Sequence, residues 1–234
     1  MKKNIRPIDL AKKLRISTST LRNYEAKGLI PPTERTVTGY RIYTEEHIAY
    51  FECILAMSPG FGMETTTEVL KKIQLNDLES ALWLINNEQV KTHHDKTTLQ
   101  KAIRLYEKLV ESKGMLEEFK TTQIVSMETE LSTSTIRFWE KEGYIYSKRD
   151  PNNNYRLFNS FQLFKIYLMK ITQTAVYSNE LINIKNLIKQ LNERDSHKAK
   201  LAINEIKNML SKRNQDQLRG QNYLYKLCKI KSLY

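Results

Sequence analysis

The chain has 234 residues, 40% of them hydrophobic and 27% charged, with 38 Lys and Arg against 26 Asp and Glu for a formal net charge of +12. That balance fits a globular protein of one or two domains, and no apolar run approaches the roughly 18 residues of a membrane-spanning helix. The positive excess makes nucleic acid the first partner to consider, because neutralised phosphates release counterions; an anionic membrane surface is the alternative that charge alone leaves open.

The opening MKKNIRPIDLAKKL has early lysines with no apolar block behind them, which speaks against a signal peptide. Pro7 stands where a first helical residue is expected, and PIDLAKKL reads as a short amphipathic helix. After a break of three to four residues comes STSTLRNYEAKGLI, in which Ser17 can cap a helix running to Lys27. Gly28 then supplies a left-handed stop. The pair predicts a helix-turn-helix. LIPPTERTVTGYRIY follows, two short β-prone arms around a polar turn containing Gly39, and predicts a hairpin. Thr44 can cap the next helix, TEEHIAYFECILAM. Residues 64–119 are nearly free of Gly and Pro and show a helical stripe at Leu99, Ala102, Ile103, Tyr106, Leu109 and Val110. Packing accounts for Trp83, Leu84 and Tyr106 better than an effector pocket does.

The pattern then begins again. With a shift of 115 residues, Ile16–Tyr43 aligns with Leu131–Phe158 without a gap, and ten of the 28 pairs are identical. They are the STST run, Arg22/Arg137, Glu25/Glu140, Gly28/Gly143, Ile30/Ile145, Tyr40/Tyr155 and Arg41/Arg156. Such a density marks an internal repeat. Ser132 repeats the cap, the helix runs to Glu142, and Asn154 takes the place of Gly39 in the second hairpin. Ser160 or Asn159 can cap FQLFKIYLMKI; TTQIVSMETE, before the second copy, matches its counterpart weakly. Further apolar stripes follow at Ile184, Leu187, Ile188 and Leu191, then at Ala202, Ile203, Ile206, Met209 and Leu210. Net charge by segment is +4 over 1–60, −2 over 61–119, +3 over 120–172 and +7 over 173–234, so the basic excess lies in three segments.

These motifs resemble the MerR-type winged helix-turn-helix transcription regulators. The first copy carries T20-L21-R22-N23-Y24-E25, G28-L29 and R35-T-V-T-G39-Y40-R41-I-Y43; the second carries T135-I136-R137-F138-W139-E140, G143-Y144 and N154-Y155-R156-L-F158. In the second wing Asp150 stands in place of Arg35, with Arg149 beside it. The resemblance implies a mainly α fold with two winged helix-turn-helix units, each followed by helices. The expected segments are 1–75 for the first unit, 76–119 for a helical linker, 120–190 for the second unit and 191–234 for basic C-terminal helices. It also implies wings that contact the backbone beside the recognition helix while the duplex is bent or untwisted. Members of the family commonly carry one unit and dimerise through a C-terminal helix.

In a helix-turn-helix the second helix enters the major groove, and its N-terminal end favours phosphate. The expected DNA contacts are therefore Ser17, Thr18, Thr20, Arg22, Asn23 and Tyr24 on the first helix, with Arg35, Tyr40 and Arg41 on its wing. Their second-copy counterparts are Ser132, Thr133, Thr135, Arg137, Phe138 and Trp139, with Arg149, Tyr155 and Arg156. Arg22 and Arg137 can pair a phosphate or a guanine edge, and Asn23 can read adenine where Phe138 cannot. Tyr24 and Trp139 are read as mixed, part core and part backbone brace. Glu25 and Glu140 cannot attract phosphate and are read as holding a wing arginine. Cys53 and Cys228 are read as reduced and packed. The two cysteines are too far apart in sequence to make a thiolate cluster, and His93-His94-Asp95, a compact donor set whose neighbours on a helix point in different directions, reads as a solvated helix break, so no metal or cofactor is expected. No phosphate loop or nucleophile motif is present, so no enzyme is expected. Double-stranded DNA is the expected partner, with RNA polymerase and a second copy as further candidates. A DNA-organising role, or a second unit that docks protein, are the competing functions.

Overall fold

A computed structural model describes residues 5–112, 118–193 and 195–233. Contacts divide the chain into one unit of Met1–Val90 with Lys212–Tyr234 and another of Lys91–Ser211. The expected segments follow chain order; the contacts instead group the end of the last helix with the first head. Each unit is a winged helix-turn-helix closed by two helix segments.

In the first unit, α1 (Pro7–Leu14) and α2 (Thr18–Ala26) are followed by the hairpin β1 (Glu34–Arg35) and β2 (Arg41–Ile42), and then by α3 (Glu45–Gln74). Helix α1 begins at Pro7 and ends at Arg15, which adopts the left-handed conformation. Ile5 bridges Tyr43 and ties the chain before α1 to the wing. Thr44 caps α3, accepting from the backbone of His47 while the His47 ring accepts from that of Thr44. Helix α3 extends well beyond Met57 but is broken at Gly62, whose φ of 76° and ψ of 163° are not helical. Leu10, Leu21, Leu29, Tyr43 and Phe51 form a core with Ala81 and Ile85 of α4 (Leu78–Glu111) and Leu224, Leu227 and Cys228 of α9 (Ser196–Ile230). Helices α3 and α9 nearly touch: a Cβ at Gly60 would lie 2.5 Å from the Gln217 nitrogen, and Gln217 Nε2 donates to the Gly60 carbonyl at 3.2 Å. Cys53 and Cys228 are free and buried, as expected.

In the second unit, β3 (Lys120–Thr121), α5 (Thr122–Thr129), α6 (Thr133–Lys141), β4 (Lys148–Arg149), β5 (Arg156–Phe158), α7 (Ser160–Ile171) and α8 (Asn179–Gln190) repeat the plan. The strands form a small antiparallel sheet in the order β3-β5-β4, and the Lys120–Phe158 pair repeats the Ile5–Tyr43 bridge. The weakly matching TTQIVSMETE thus folds as a full counterpart of the first helix. Val125 fills the place of Leu10, and Glu130 ends α5 with the same φ of 55° that Arg15 has. Asn159, not Ser160, caps α7. The core joins Val125, Ile136, Ile145, Phe158 and Phe164 to Leu99, Ala102 and Tyr106 of α4 and Ala199, Ala202 and Ile206 of α9.

Most of the predicted stripes are core, but Val110 is 55% exposed, while its neighbour Leu109 still packs on the second core. Tyr106 belongs to the second core and Leu84 packs on the first, while Trp83 is exposed. His93, His94 and Asp95 do not break a helix: they lie inside α4, where buried Asp95 accepts from the Thr174 hydroxyl.

Lys165 of α7 is fully buried, and its Nζ donates to the carbonyls of Lys189 at 3.4 Å and Leu191 at 3.3 Å, where α8 ends. The C-terminal dipole favours a cation at that point. Burial nevertheless penalises the ammonium and lowers its pKa to about 8. Above pH 8 the folded chain has released this proton while the unfolded chain still holds it, so the contribution of Lys165 to stability rises with pH until the ordinary lysine range. Wild-type stability relative to Lys165→Met is expected to rise between pH 8 and 10, by at most about 1.4 kcal/mol per pH unit, in chemical denaturation. A pH-independent difference would show that the lysine titrates normally.

Candidate nucleic-acid interface

Each recognition helix starts on a serine cap. Ser17 Oγ accepts from the Thr20 amide at 3.0 Å and Ser132 Oγ from the Thr135 amide at 3.0 Å. Those hydroxyls also bond Ser19 and Thr20 in one head, and Ser134 and Thr135 in the other, at 2.7–2.8 Å. The STST run is therefore a cap network first. Arg22 and Asn23, and likewise Arg137 and Phe138, project from these helices as exposed side chains.

A carboxylate fastens each wing to its recognition helix. Glu25 of α2 accepts from Arg41 Nε and from the hydroxyl and amide of Thr33. Glu140 of α6 accepts from Arg156 Nε at 2.6 Å and from the Ser147 hydroxyl. Burial pushes both carboxyls up, but the hydroxyl and arginine hydrogen bonds outweigh it and hold both below the ordinary glutamate range. The glutamates thus hold the wing arginines, as the sequence suggests.

The wing register corrects the pairing of Arg35 with Asp150. Arg35 lies opposite Arg41, and Arg149 lies opposite Arg156. Arg35 Nη1 donates to the Gly39 carbonyl at 3.2 Å, and Arg149 Nη1 donates to that of Asn154 at 2.9 Å. Arg149 is therefore the counterpart of Arg35. The gapless alignment hides two compensating changes: the second copy has one residue fewer between Ile145 and Ser147 and one more in the turn. Asp150 opens that longer turn, donating its amide to the Tyr155 carbonyl as Thr36 does to Tyr40, and accepting from the Asn152 amide at 2.8 Å.

Between the first helix, the recognition helix and the wing, each head forms a cleft. The first, of about 590 Å³, is lined by Arg6, Ile8, Thr18, Arg22, Tyr40 and Arg41 among others. The second, of about 550 Å³, is lined by Met127, Thr133, Arg137, Arg149, Tyr155 and Arg156 among others. Each brings three guanidiniums together, beside a tyrosine that is 70% exposed in one head and 61% in the other. Arg6 and Met127 were not among the expected contacts. Arg6 directly precedes Pro7, so its position at the helix start was readable; Met127 gave no signal.

Trp139 is placed otherwise than expected: at 4% exposure it is core, whereas its neighbour Phe138 is 56% exposed. Tyr24 is half-buried against Phe51, with ring centroids 6.3 Å apart. Ser17 and Ser132 cap their helices and are exposed.

The sequence profile described as MerR family regulatory protein matches residues 6–43 and again 121–158. The HTH-type transcriptional regulator CueR of Salmonella typhimurium is 36% identical over 63 residues, 26% of this chain and 46% of that protein. AdhR of Bacillus subtilis, also an HTH-type transcriptional regulator, is 42% identical over 60 residues, 25% and 43% of the two chains. The chain therefore spans about half the length of these relatives. The uncharacterized HTH-type transcriptional regulator YyaN of Bacillus subtilis is 30% identical over 119 residues, 47% of this chain and 86% of that protein. No solved structure matches the chain.

Replacing Glu140 by Gln removes the charge from the clamp on the second wing. A charge-assisted hydrogen bond contributes on the order of 1–2 kcal/mol at a partly exposed site. Amide exchange in Lys148–Phe158 should accelerate roughly tenfold while that of α6 holds; unchanged wing exchange would show that the hairpin stands without the clamp.

Proposed function

The chain belongs to the MerR family of regulatory proteins, and from that premise we propose that it is a sequence-specific, double-stranded-DNA-binding transcription regulator with two non-identical reading heads. The observation that carries the proposal is the recurrence, in both units, of an arginine-lined cleft beside a capped helix N-terminus. Helix dipole and guanidiniums together suit a phosphate strand running past the base of the recognition helix. The wing supplies Arg41 or Arg156 to that cleft, held in place by its glutamate.

The major groove then receives α2 or α6, with Arg22 and Asn23 in one head and Arg137 and Phe138 in the other closest to base edges. Two heads on one chain meet a duplex at high effective concentration, which a one-headed protein obtains by dimerising. Deforming the duplex costs several kcal/mol, and contacts on both half-sites offset it. The relatives are named transcriptional regulators, which favours regulation over a DNA-organising role and over enzymatic activity.

Footprinting with the full chain should show two protected patches for each bound molecule. Arg22→Ala and Arg137→Ala should each weaken binding by roughly tenfold or more, as loss of a two-point arginine contact does, and each should thin a different patch. A footprint indifferent to Arg137→Ala would remove the second head from the DNA.

A further inference from the structure

The two heads share a backbone but not a charge. Residues 5–43 hold eight Lys and Arg against three Asp and Glu, whereas the equivalent residues 120–158 hold six against five. The clefts do not account for this, since each keeps three guanidiniums. The difference is concentrated where the first helix ends. Lys12, Lys13 and Arg15 of the first head correspond to Met127, Glu128 and Glu130 of the second.

Two of these positions are neutralised locally. Lys13 pairs with Glu52 at 3.2 Å, and Glu128 pairs with Lys120 at 2.7 Å. Lys12 and Arg15 are exposed, with no ion pair among the described residues. Their counterparts Met127 and Glu130 are exposed too, but Met127 is uncharged and Glu130 is answered by Lys170 at 3.0 Å and His94 at 3.4 Å. Among the described residues the first turn therefore carries two positive charges outside any ion pair, with Asp9, which attracts Lys12, already bonded to Arg6, and the second carries none. The backbone is the same at both places: Arg15 and Glu130 share a φ of 55°, each two residues before the serine cap of its recognition helix. In a helix-turn-helix the first helix crosses the sugar–phosphate backbone, and the start of the second attracts phosphate. The charge difference thus falls where phosphate contact is made.

We infer that the first head is the anchoring head, its Lys12 and Arg15 adding salt-sensitive phosphate contacts at the end of the first helix that the second head does not make there. This rests on the DNA-binding reading above and makes the protein directional on its duplex. Reciprocal exchange tests it in the full chain: Lys12→Met with Arg15→Glu in one variant, Met127→Lys with Glu130→Arg in the other. Each new residue is one that the same backbone position already carries in the other head. Phosphate binding is independent of sequence, so the probe is a mixed-sequence duplex of about 40 base pairs titrated across a salt series.

The first variant should bind roughly tenfold or more weakly at low salt, and its slope of log affinity against log salt should fall by about 2. The second should bind more tightly, with a steeper slope. A slope unchanged by the first exchange overturns the anchoring role and leaves two-headed binding standing. If the first variant fails to fold by circular dichroism, the second decides: a slope no steeper than that of the unaltered chain overturns the inference. No salt-dependent duplex binding by the unaltered chain overturns the DNA reading, and this inference with it.

Discussion

A carboxylate on the recognition helix that grips an arginine of the wing, Glu25 with Arg41 and Glu140 with Arg156, is the contact on which each head depends. A hairpin of two- or three-residue strands is marginal by itself. It needs an external fixture, and a partly buried ion pair backed by a hydroxyl provides one with defined geometry. Because the glutamate sits on the helix that carries Arg22 or Arg137, the wing arginine is held in register with the exposed arginine of that helix. Cleft, wing and recognition helix therefore form one device. Its geometry is the same in both copies even though the hairpin lengths differ.

What surrounds this device has been free to diverge. The first helices of the two heads share no residue at equivalent positions, and yet both end in a left-handed residue and place an aliphatic side chain at the same core position, Leu10 or Val125, with Ala11 beside it in the first. The helix needs little more than that, so its outer face can change from basic to neutral without disturbing the fold. This separation of a fixed interior from a variable exterior lets one backbone plan carry two different surface charges.

The long helices show a second kind of dependence. Each unit is completed by segments of both α4 and α9, one following its own head and one from the other half of the sequence. The stripes along these helices announce apolar faces, but a stripe does not say which partner it meets. The bare backbone at Gly60 and the side chain of Gln217 settle that in the first unit, where a methyl group would already collide.

The sequence by itself determined the repeat, the caps at Ser17, Ser132 and Thr44, the left-handed stops at Gly28 and Gly143, and the glutamate–arginine pairing. All of these act over short spans or through residues that recur in register, so spacing is enough to reveal them. Three-dimensional packing decided what spacing could not. It set Arg149 rather than Asp150 opposite Arg156, because strand pairing counts hydrogen-bonded partners and tolerates a residue lost before the strand and gained in the turn. It buried Trp139 while leaving Phe138 exposed, because neighbours on a helix face about 100° apart and only the core shows which side is inside. And it joined the end of α9 to the first head, a contact between residues more than 120 positions apart that no local pattern encodes.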